Sequence, residues 1–188
     1  MDHNYSASYG NVRLRPLKRE DIENLRVWRN DAVKTRFLRP VGHITPEMQE
    51  KWFENYLNNE QEIIFAIDEI QDLNRMVGSV SLYDFNGDVA EIGKIRVGDP
   101  EAGGRGIGRY SLVIAMHIGF EKLGLKKIIA SVHQENVAAH KNDMKIGFRI
   151  VGNHPSVVGG IEDEIEMDAA RLAEVNTYVP NIQLDVEY

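Results

Sequence analysis

The chain has 188 residues, 43% of them apolar, with 29 acidic against 22 basic side chains for a net charge of −7, and no cysteine. That length suits one globular domain with a buried core, and the charge disfavours nonspecific nucleic-acid binding while mildly favouring a cationic substrate. The missing cysteine excludes a thiol nucleophile, a disulfide framework and a Cys-based zinc site and fits the cytoplasm, no apolar run approaches the ~20 residues of a membrane span, and residues 1–5 lack the basic and apolar regions of a signal peptide.

Along the chain, residues 1–10 are polar and are expected to be frayed. Residues 12–15 alternate as a short strand that Pro16 stops. A helix from Lys18 carries Ile22, Leu25 and Trp28 on one face, and Asn30-Asp31 ends it. A second short segment, residues 32–38, leads to Arg39-Pro40. Thr45-Pro46-Glu47 is a helix start, with Thr45 as N-cap and Pro46 in the first helical position. Met48, Trp52, Phe53, Tyr56 and Leu57 then recur at spacings of three and four, until Asn58-Asn59. Strands follow at 63–67, 76–83 and 90–97, joined by the turn sequences Gln71-Asp72-Leu73-Asn74 and Asn86-Gly87-Asp88 as antiparallel hairpins.

A glycine-rich turn, 103–108, leads from the third of these strands into an apolar helix that ends before Gly124. Glycines admit φ values closed to other residues and let a backbone approach a ligand. The free amides and the dipole at the helix start favour an anion, so the arrangement can hold phosphate. It is no P-loop, because Arg109-Tyr110 stand where Lys and Ser/Thr are required. It is no dinucleotide fingerprint either, since counting from Gly104 or Gly106 the last position is Arg109 or Ser111. A strand at 126–133, a helix from Asn136 to Gly147 and strands at 148–151 and 164–167 complete the pattern. Residues 169–188 form a C-terminal extension with a short helical piece, which caps the domain or contacts another chain in a homodimer. The order gives an α+β fold, a mixed sheet with helices on its faces, in one domain over 1–188. There is no His-Glu-x-x-His pair, no EF-hand spacing and no Gly-x-Ser-x-Gly elbow.

The form Arg105-Gly106-Ile107-Gly108 resembles the pyrophosphate loop of the GNAT superfamily of acyl-CoA-dependent N-acyltransferases, although Gly103 replaces the usual leading Gln or Arg. Asn136, Ala139, Lys145, Gly147 and Phe148 match the family's Asn-x-x-Ala…Lys-x-Gly-Phe segment, beginning twenty-eight residues beyond Gly108. Glu91-Ile92-Gly93 and Trp28-Arg29-Asn30 are similar to segments of the ribosomal-protein N-terminal acetyltransferase branch, and the second also to amino-sugar nucleotide acetyltransferases. The resemblance covers 11–168 and implies a mostly antiparallel sheet with a strand that splays from its neighbour. It implies that the backbones of Ile95, Arg96 and Val97 pair with pantetheine. Gly103, Gly104, Arg105, Gly106, Ile107, Gly108 and Arg109 would hold the pyrophosphate, and Asn136 and Asn142 would contact the arm. Trp28, Arg29, Phe37 and Trp52 would border the acceptor.

By that resemblance the protein is an acetyl-CoA-dependent N-acetyltransferase, with acetyl-CoA as co-substrate, no metal, and direct transfer to a primary amine in a ternary complex. The acceptor would be a small molecule or a peptide, either a protein N-terminus or an amino-sugar nucleotide, with neither nucleic acid nor membrane as partner. Deprotonating a lysine-like amine at pH 7 costs ~4.6 kcal/mol, against only ~1 kcal/mol for an α-amine. A weak base therefore suffices for the latter. Glu91 is the candidate base, and Ser131 or His133 a candidate relay. The family's general acid is a tyrosine, and Asp143 stands at that position. The acid is therefore open, among unaided departure, solvent, Tyr110 and Tyr83. The alternative function is a non-catalytic acyl-CoA-binding module; a nucleotide-binding regulatory domain would need the absent P-loop lysine.

Overall fold

A computed structural model of the protein describes residues 3–31, 37 and 41–185. Most of the expected short segment at 32–38, together with Arg39 and Pro40, lies outside the described residues. Nine strands form one sheet: β1 (Ser6–Tyr9), β2 (Val12–Pro16), β3 (Glu62–Glu69), β4 (Arg75–Asn86), β5 (Val89–Val97), β6 (Lys127–His133), β7 (Arg149–Pro155), β8 (Ile161–Met167) and β9 (Gln183–Asp185). Their order is β7-β8-β6-β5-β4-β3-β2-β1-β9, antiparallel except for the β5–β6 pair. The helices are α1 (Ile22–Arg29), α2 (Pro46–Leu57), α3 (Ile107–Lys122), α4 (Val137–Ile146) and α5 (Ala169–Val175). The architecture is the mixed, mostly antiparallel α+β sheet expected.

The two faces of the sheet bury different helices. Alternation sends Ile63, Phe65 and Ile67 of β3 into the larger core with α3, and Ile64 and Ala66 into a smaller cluster with Ile22, Phe53 and Tyr56 of α1 and α2. Helix α3 is apolar nearly all round, with Leu112, Val113, Ile114, Met116, Ile118 and Phe120 all buried, as a helix enclosed on several sides must be. Thr45 accepts a hydrogen bond from the Met48 amide with Pro46 in the first turn, as expected of that cap. Gly147 stops α4 at φ +106°, a conformation open chiefly to glycine.

The chain start departs from expectation. Residues 6–9, expected to be frayed, form β1 between β2 and β9, and Ala7 is fully buried. Gly10, at φ +59°, turns the chain so that Tyr9 pairs with Val12. The Ser6 hydroxyl lies 2.8 Å from the Leu14 carbonyl and 2.9 Å from Asp185 Oδ2, and its single proton is shared between these two acceptors, so polar residues are accommodated inside the sheet. The closing strands are also longer than the short runs at 148–151 and 164–167 suggested.

Candidate active site

Strands β5 and β6 start side by side and then part. Their pairing runs through Val89–Lys127, Ala90–Ile128 and Glu91–Ile129 and stops there. Beyond Glu91, β5 continues paired with β4 alone, while β6 continues to His133 paired with β8. The β6-facing edge of residues 95–97 is thus left with unpaired backbone among the described residues, a template for an extended ligand.

A bulge shapes this edge. Gly93 pairs with Ser81 and Arg96 with Ser79, so Lys94 and Ile95 together oppose one residue, and Lys94 adopts φ +50°. On a regular strand Glu91, Gly93 and Ile95 would share a face, which would place the candidate base beside the pantetheine track; the bulge breaks that alternation. Ile95 and Val97 instead pack against the α3-side core, leaving Glu91 and Gly93 on the opposite face.

The glycine turn lies at the end of the same strand. Asp99 caps a short turn at Pro100–Ala102 by accepting from the Glu101 amide at 2.9 Å, and Arg75 holds both acids at 2.8 Å. Gly104 and Gly106 both take φ +74°, and α3 begins at Ile107 with no side chain capping its first amides. A Cβ built on Gly108 would lie 3.9 Å from Val97 Cγ2, so the helix start abuts the unpaired strand. The Ile107 side chain is buried beneath the turn, and Gly103 precedes it as an exposed residue. Anion-binding amides therefore sit at one end of an open strand edge. The arginines point elsewhere. Arg105 pairs with Asp72 and donates to the Glu101 carbonyl. Arg109 donates to Asn176 Oδ1 at 3.3 Å, and its Nε is buried without a partner. The donors this turn leaves open to an anion are thus backbone amides rather than these side chains.

Glu91 is positioned by Tyr83, whose hydroxyl donates to Glu91 Oε1 at 2.5 Å. Burial, and then this carboxylate, raise the phenol's pKa, so Tyr83 stays a donor. Gly93 makes room for the ring, since a Cβ there would lie 2.8 Å from the Tyr83 hydroxyl. The bulged Lys94 reaches back over the same ring at 4.3 Å and pairs with Glu62 at 2.6 Å. Glu62, Tyr83 and Glu91 stand in register on three adjacent strands. The Lys94–Glu62 pair was not legible in the sequence, because only the bulge turns Lys94 to this face.

The two relay candidates differ. Ser131 is exposed, lies two residues beyond the last β5–β6 pair and is 3.4 Å from His154 Nε2. His133 is buried: its Nδ1 accepts from the Glu135 amide at 3.1 Å and its Nε2 lies 2.6 Å from the Gly159 carbonyl. An amide only donates and a carbonyl only accepts, so the ring is the neutral Nε2–H tautomer with both nitrogens occupied. No ring nitrogen is left for a relay, and His133 instead ties β6 to the β7–β8 turn. His133→Ala is expected to lower stability by about 1–3 kcal/mol through two lost hydrogen bonds, with kcat within about threefold of wild type. Melting curves and thiol-release assays read the two effects, and a hundredfold loss of rate at unchanged stability would restore the relay.

The expected acceptor residues are dispersed. Trp28 lies flat on the chain just past β5, where a Cβ on Gly98 would fall 2.1 Å from its Cδ2. Arg29 follows at the end of α1, close enough to Arg96 for the two charges to interact. Phe37 packs on the His133 ring at 5.0 Å, and Trp52 stacks on Tyr56 at 5.9 Å within the smaller cluster. Trp28 and Phe37 therefore stand by the diverging ends of β5 and β6, whereas Trp52 is a packing residue.

Helix α4 packs against β6 and α3. Asn136 caps it, accepting from the Ala139 amide at 3.3 Å, and Asn142 is half-buried. Asp143 falls between Ala139 and Ile146 on the inward stripe, and burial pushes its carboxyl up to about 7. Among the described residues no group of His, Asp or Glu is placed to hold a metal ion, and no helix is long and apolar enough to cross a membrane.

The chain has relatives in sequence and in fold. The acetyltransferase (GNAT) domain family matches residues 11–149. The chain is 30% identical over 113 residues to an N-acetyltransferase 9-like protein of Nematostella vectensis, spanning 54% of each chain, about half of that relative's length. It is 26% identical over 141 residues to spermidine N(1)-acetyltransferase of Escherichia coli K12, spanning 75% of this chain and 74% of that one. In fold it is similar to a spermidine N-acetyltransferase from Vibrio cholerae solved in complex with CoA and spermine, at a TM-score of 0.76 and 22% identity, over 86% of this chain and 98% of the other.

Proposed function

The chain belongs to the GNAT family of acyl-CoA-dependent acetyltransferases, and we propose that it moves an acetyl group from acetyl-CoA to a primary amine by direct transfer in a ternary complex. The observation that carries the reading is the unpaired edge of β5 running into the uncapped start of α3. The residues suit the co-substrate. The backbones of Ile95, Arg96 and Val97 offer strand-like hydrogen bonds to a pantetheine arm, the amides from Gly104 to Arg109 offer donors to a pyrophosphate, and Asn136 and Asn142 flank the arm from α4.

In the transfer, the amine lone pair forms the new N–C bond as the C–S bond breaks; the amine loses a proton and the departing sulfur gains one. Glu91, held by Tyr83, is the base that receives the amine's proton directly or through a water. Asp143, standing where the family carries tyrosine, is the donor to sulfur. A protein N-terminal α-amine, as in the ribosomal-protein branch, and an amino-sugar nucleotide remain the acceptors suggested by Trp28-Arg29-Asn30. The relatives that act on spermidine add a polyamine. The cysteine-free sequence supports a cytoplasmic site of action.

Calorimetric titration with acetyl-CoA, CoA and ATP, followed by thiol release in the presence of amines, tests the reading. Binding of both CoA species with ATP silent, and amine-dependent release, are expected. Binding without turnover of any amine would favour the acyl-CoA-binding module. Glu91→Gln is expected to lower kcat about 10²-fold with acetyl-CoA affinity unchanged, the typical contribution of a positioned base; an unchanged kcat would remove Glu91 from the mechanism.

A further inference from the structure

Ile128 and Val132 of β6 enter the core that α3 covers, so Ile129 and Ser131 point to the opposite face of the sheet, and Glu91, in register with Ile129, points there too. Ser131 lies two residues beyond that last pair and is exposed. At ~3.3 Å of rise per residue it stands ~7 Å further along than Glu91, on the far wall of the gap between the parting strands. A second set of groups adjoins it there. Ser131 Oγ is 3.4 Å from Nε2 of His154, which reaches across β8 from β7. The other ring nitrogen, Nδ1, lies 3.1 Å from the Pro155 carbonyl, which only accepts. In the neutral ring Nδ1 therefore carries the proton, and Nε2 turns its lone pair to the serine hydroxyl. Glu162 Oε2 stands 3.9 Å from the same Nε2, and Glu162 is held by Ser156, whose hydroxyl donates to Oε1 at 2.6 Å. A positive charge formed on the ring thus meets a carboxylate already in place. The His154 side chain is 40% exposed, so it can exchange a proton with water. His133, with both nitrogens occupied, offers no such path.

A hydroxyl set between an entering group and an imidazole lone pair is a route for a proton. The chemistry needs one. An acceptor that arrives as an ammonium ion loses two protons, the first before its lone pair can attack and the second as the N–C bond forms. Glu91 accounts for one of them. At pH 7 an α-amine near ~7.8 is unprotonated in about one molecule in seven, whereas a lysine-like amine near ~10.4 is so in only about one in 2,500. A second proton acceptor therefore matters most for an alkylamine.

We propose that Ser131 and His154 form the outlet for the first of these protons, which suits the site to acceptors that arrive as alkylammonium ions. The proposal rests on the acetyltransfer reading and deepens it. The ammonium N–H bond breaks, its proton goes to Ser131 Oγ, and the Ser131 O–H proton passes to His154 Nε2. The nitrogen keeps the electron pair, the imidazolium faces Glu162, and water removes the proton from the exposed ring. The second proton goes to Glu91 as the amine attacks. Ser131 touches the substrate, and His154 acts through it.

The test compares the wild type with Ser131→Ala, His154→Gln and the double variant, using acetyl-CoA and four acceptors: alanine amide, glucosamine, Nα-acetyl-lysine and spermidine. With either of the last two, His154→Gln is expected to lower kcat about 10²-fold, and with the first two less than about fivefold. Ser131→Ala should show the same dependence on amine basicity, and the double variant should be within about threefold of the slower single variant, because the two groups act as a unit. Added imidazole should restore part of the rate to His154→Ala, which a packing role for the ring does not predict. Three results would overturn the proposal while leaving acetyl transfer intact: alkylamine turnover within about threefold of wild type in His154→Gln, a loss of equal size for every amine, or turnover confined to alanine amide and glucosamine. If none of the four amines turns over, the acetyltransfer reading fails and the outlet falls with it.

Discussion

Gly106→Val is expected to lower acetyl-CoA affinity more than 100-fold while the protein stays folded. Gly106 stands at φ +74° as the residue immediately before α3, a region a β-branched residue enters only with strain of about 1–2 kcal/mol. The chain relieves that strain by rotating the peptide, and rotation turns away the amides that the turn presents. Each hydrogen bond to a charged group is worth about 1.5–3 kcal/mol, so two lost contacts suffice for the hundredfold. The effect on folding is small by comparison, because the turn is exposed and the buried anchor, Ile107, is retained. Gly10→Val is the control: Gly10 has φ +59° in the β1–β2 turn with nothing within 4 Å of an added Cβ. It should show a comparable strain in a melting curve and leave calorimetric binding of acetyl-CoA unchanged. Affinity within threefold of wild type in Gly106→Val would mean that these amides do not hold the co-substrate.

Features with a local cause are legible in the sequence. The Thr45-Pro46 cap, the Asn136 cap, the Gly147 stop and the glycine turn each depend on a few neighbouring residues, and each is found as expected. What escaped depends on partners far away in the chain. Strand β1 is built from Ser6, Ala7, Ser8 and Tyr9, whose polarity suits an exposed terminus, and only pairing with residues 183–185 encloses it. Glu69 at the end of β3 is buried and accepts the amides of Gln71, Asp72 and Leu73, which hold its carboxylate below the ordinary range. The residue that takes φ +50° at the bulge is Lys94 rather than its neighbour Gly93, so the faces of Ile95 and Arg96 do not follow from alternation. Arg105 and Arg109 sit in and beside the glycine turn, but Asp72 and Asn176, thirty-three and sixty-seven positions away, take their guanidinium groups. The site's backbone was legible for this reason, and the directions of its side chains were not.

Asp143→Asn is expected to make the protein more stable and slower at once. The Asp143 carboxyl lies on the inward stripe of α4, accepts no hydrogen bond from a described residue, and is pushed by burial up to about 7, with His140 pulling the other way. An unfolded aspartate titrates near ~3.9. The folded chain therefore holds the proton more tightly than the unfolded chain. The stability this gives is present below pH ~4 and is lost as pH rises through 7, a loss of at most about 4 kcal/mol. Asparagine has the same shape and no charge to desolvate. Urea melts at pH 8 should show the variant ahead by up to that amount, and melts at pH 4 should show the two proteins nearly equal. A gain that is the same at both pH values would mean that the carboxyl is not desolvated. The same titration bears on chemistry, because an acid with its pKa near the working pH is both protonated and willing to donate. In wild type, kcat should fall as pH rises through 7, where Asp143 loses its proton; in Asp143→Asn that limb should vanish and the plateau drop. A desolvated carboxyl with no hydrogen bond from a described residue is unfavourable to the fold, and a stabilising substitution that removes rate would identify the function for which that cost is retained.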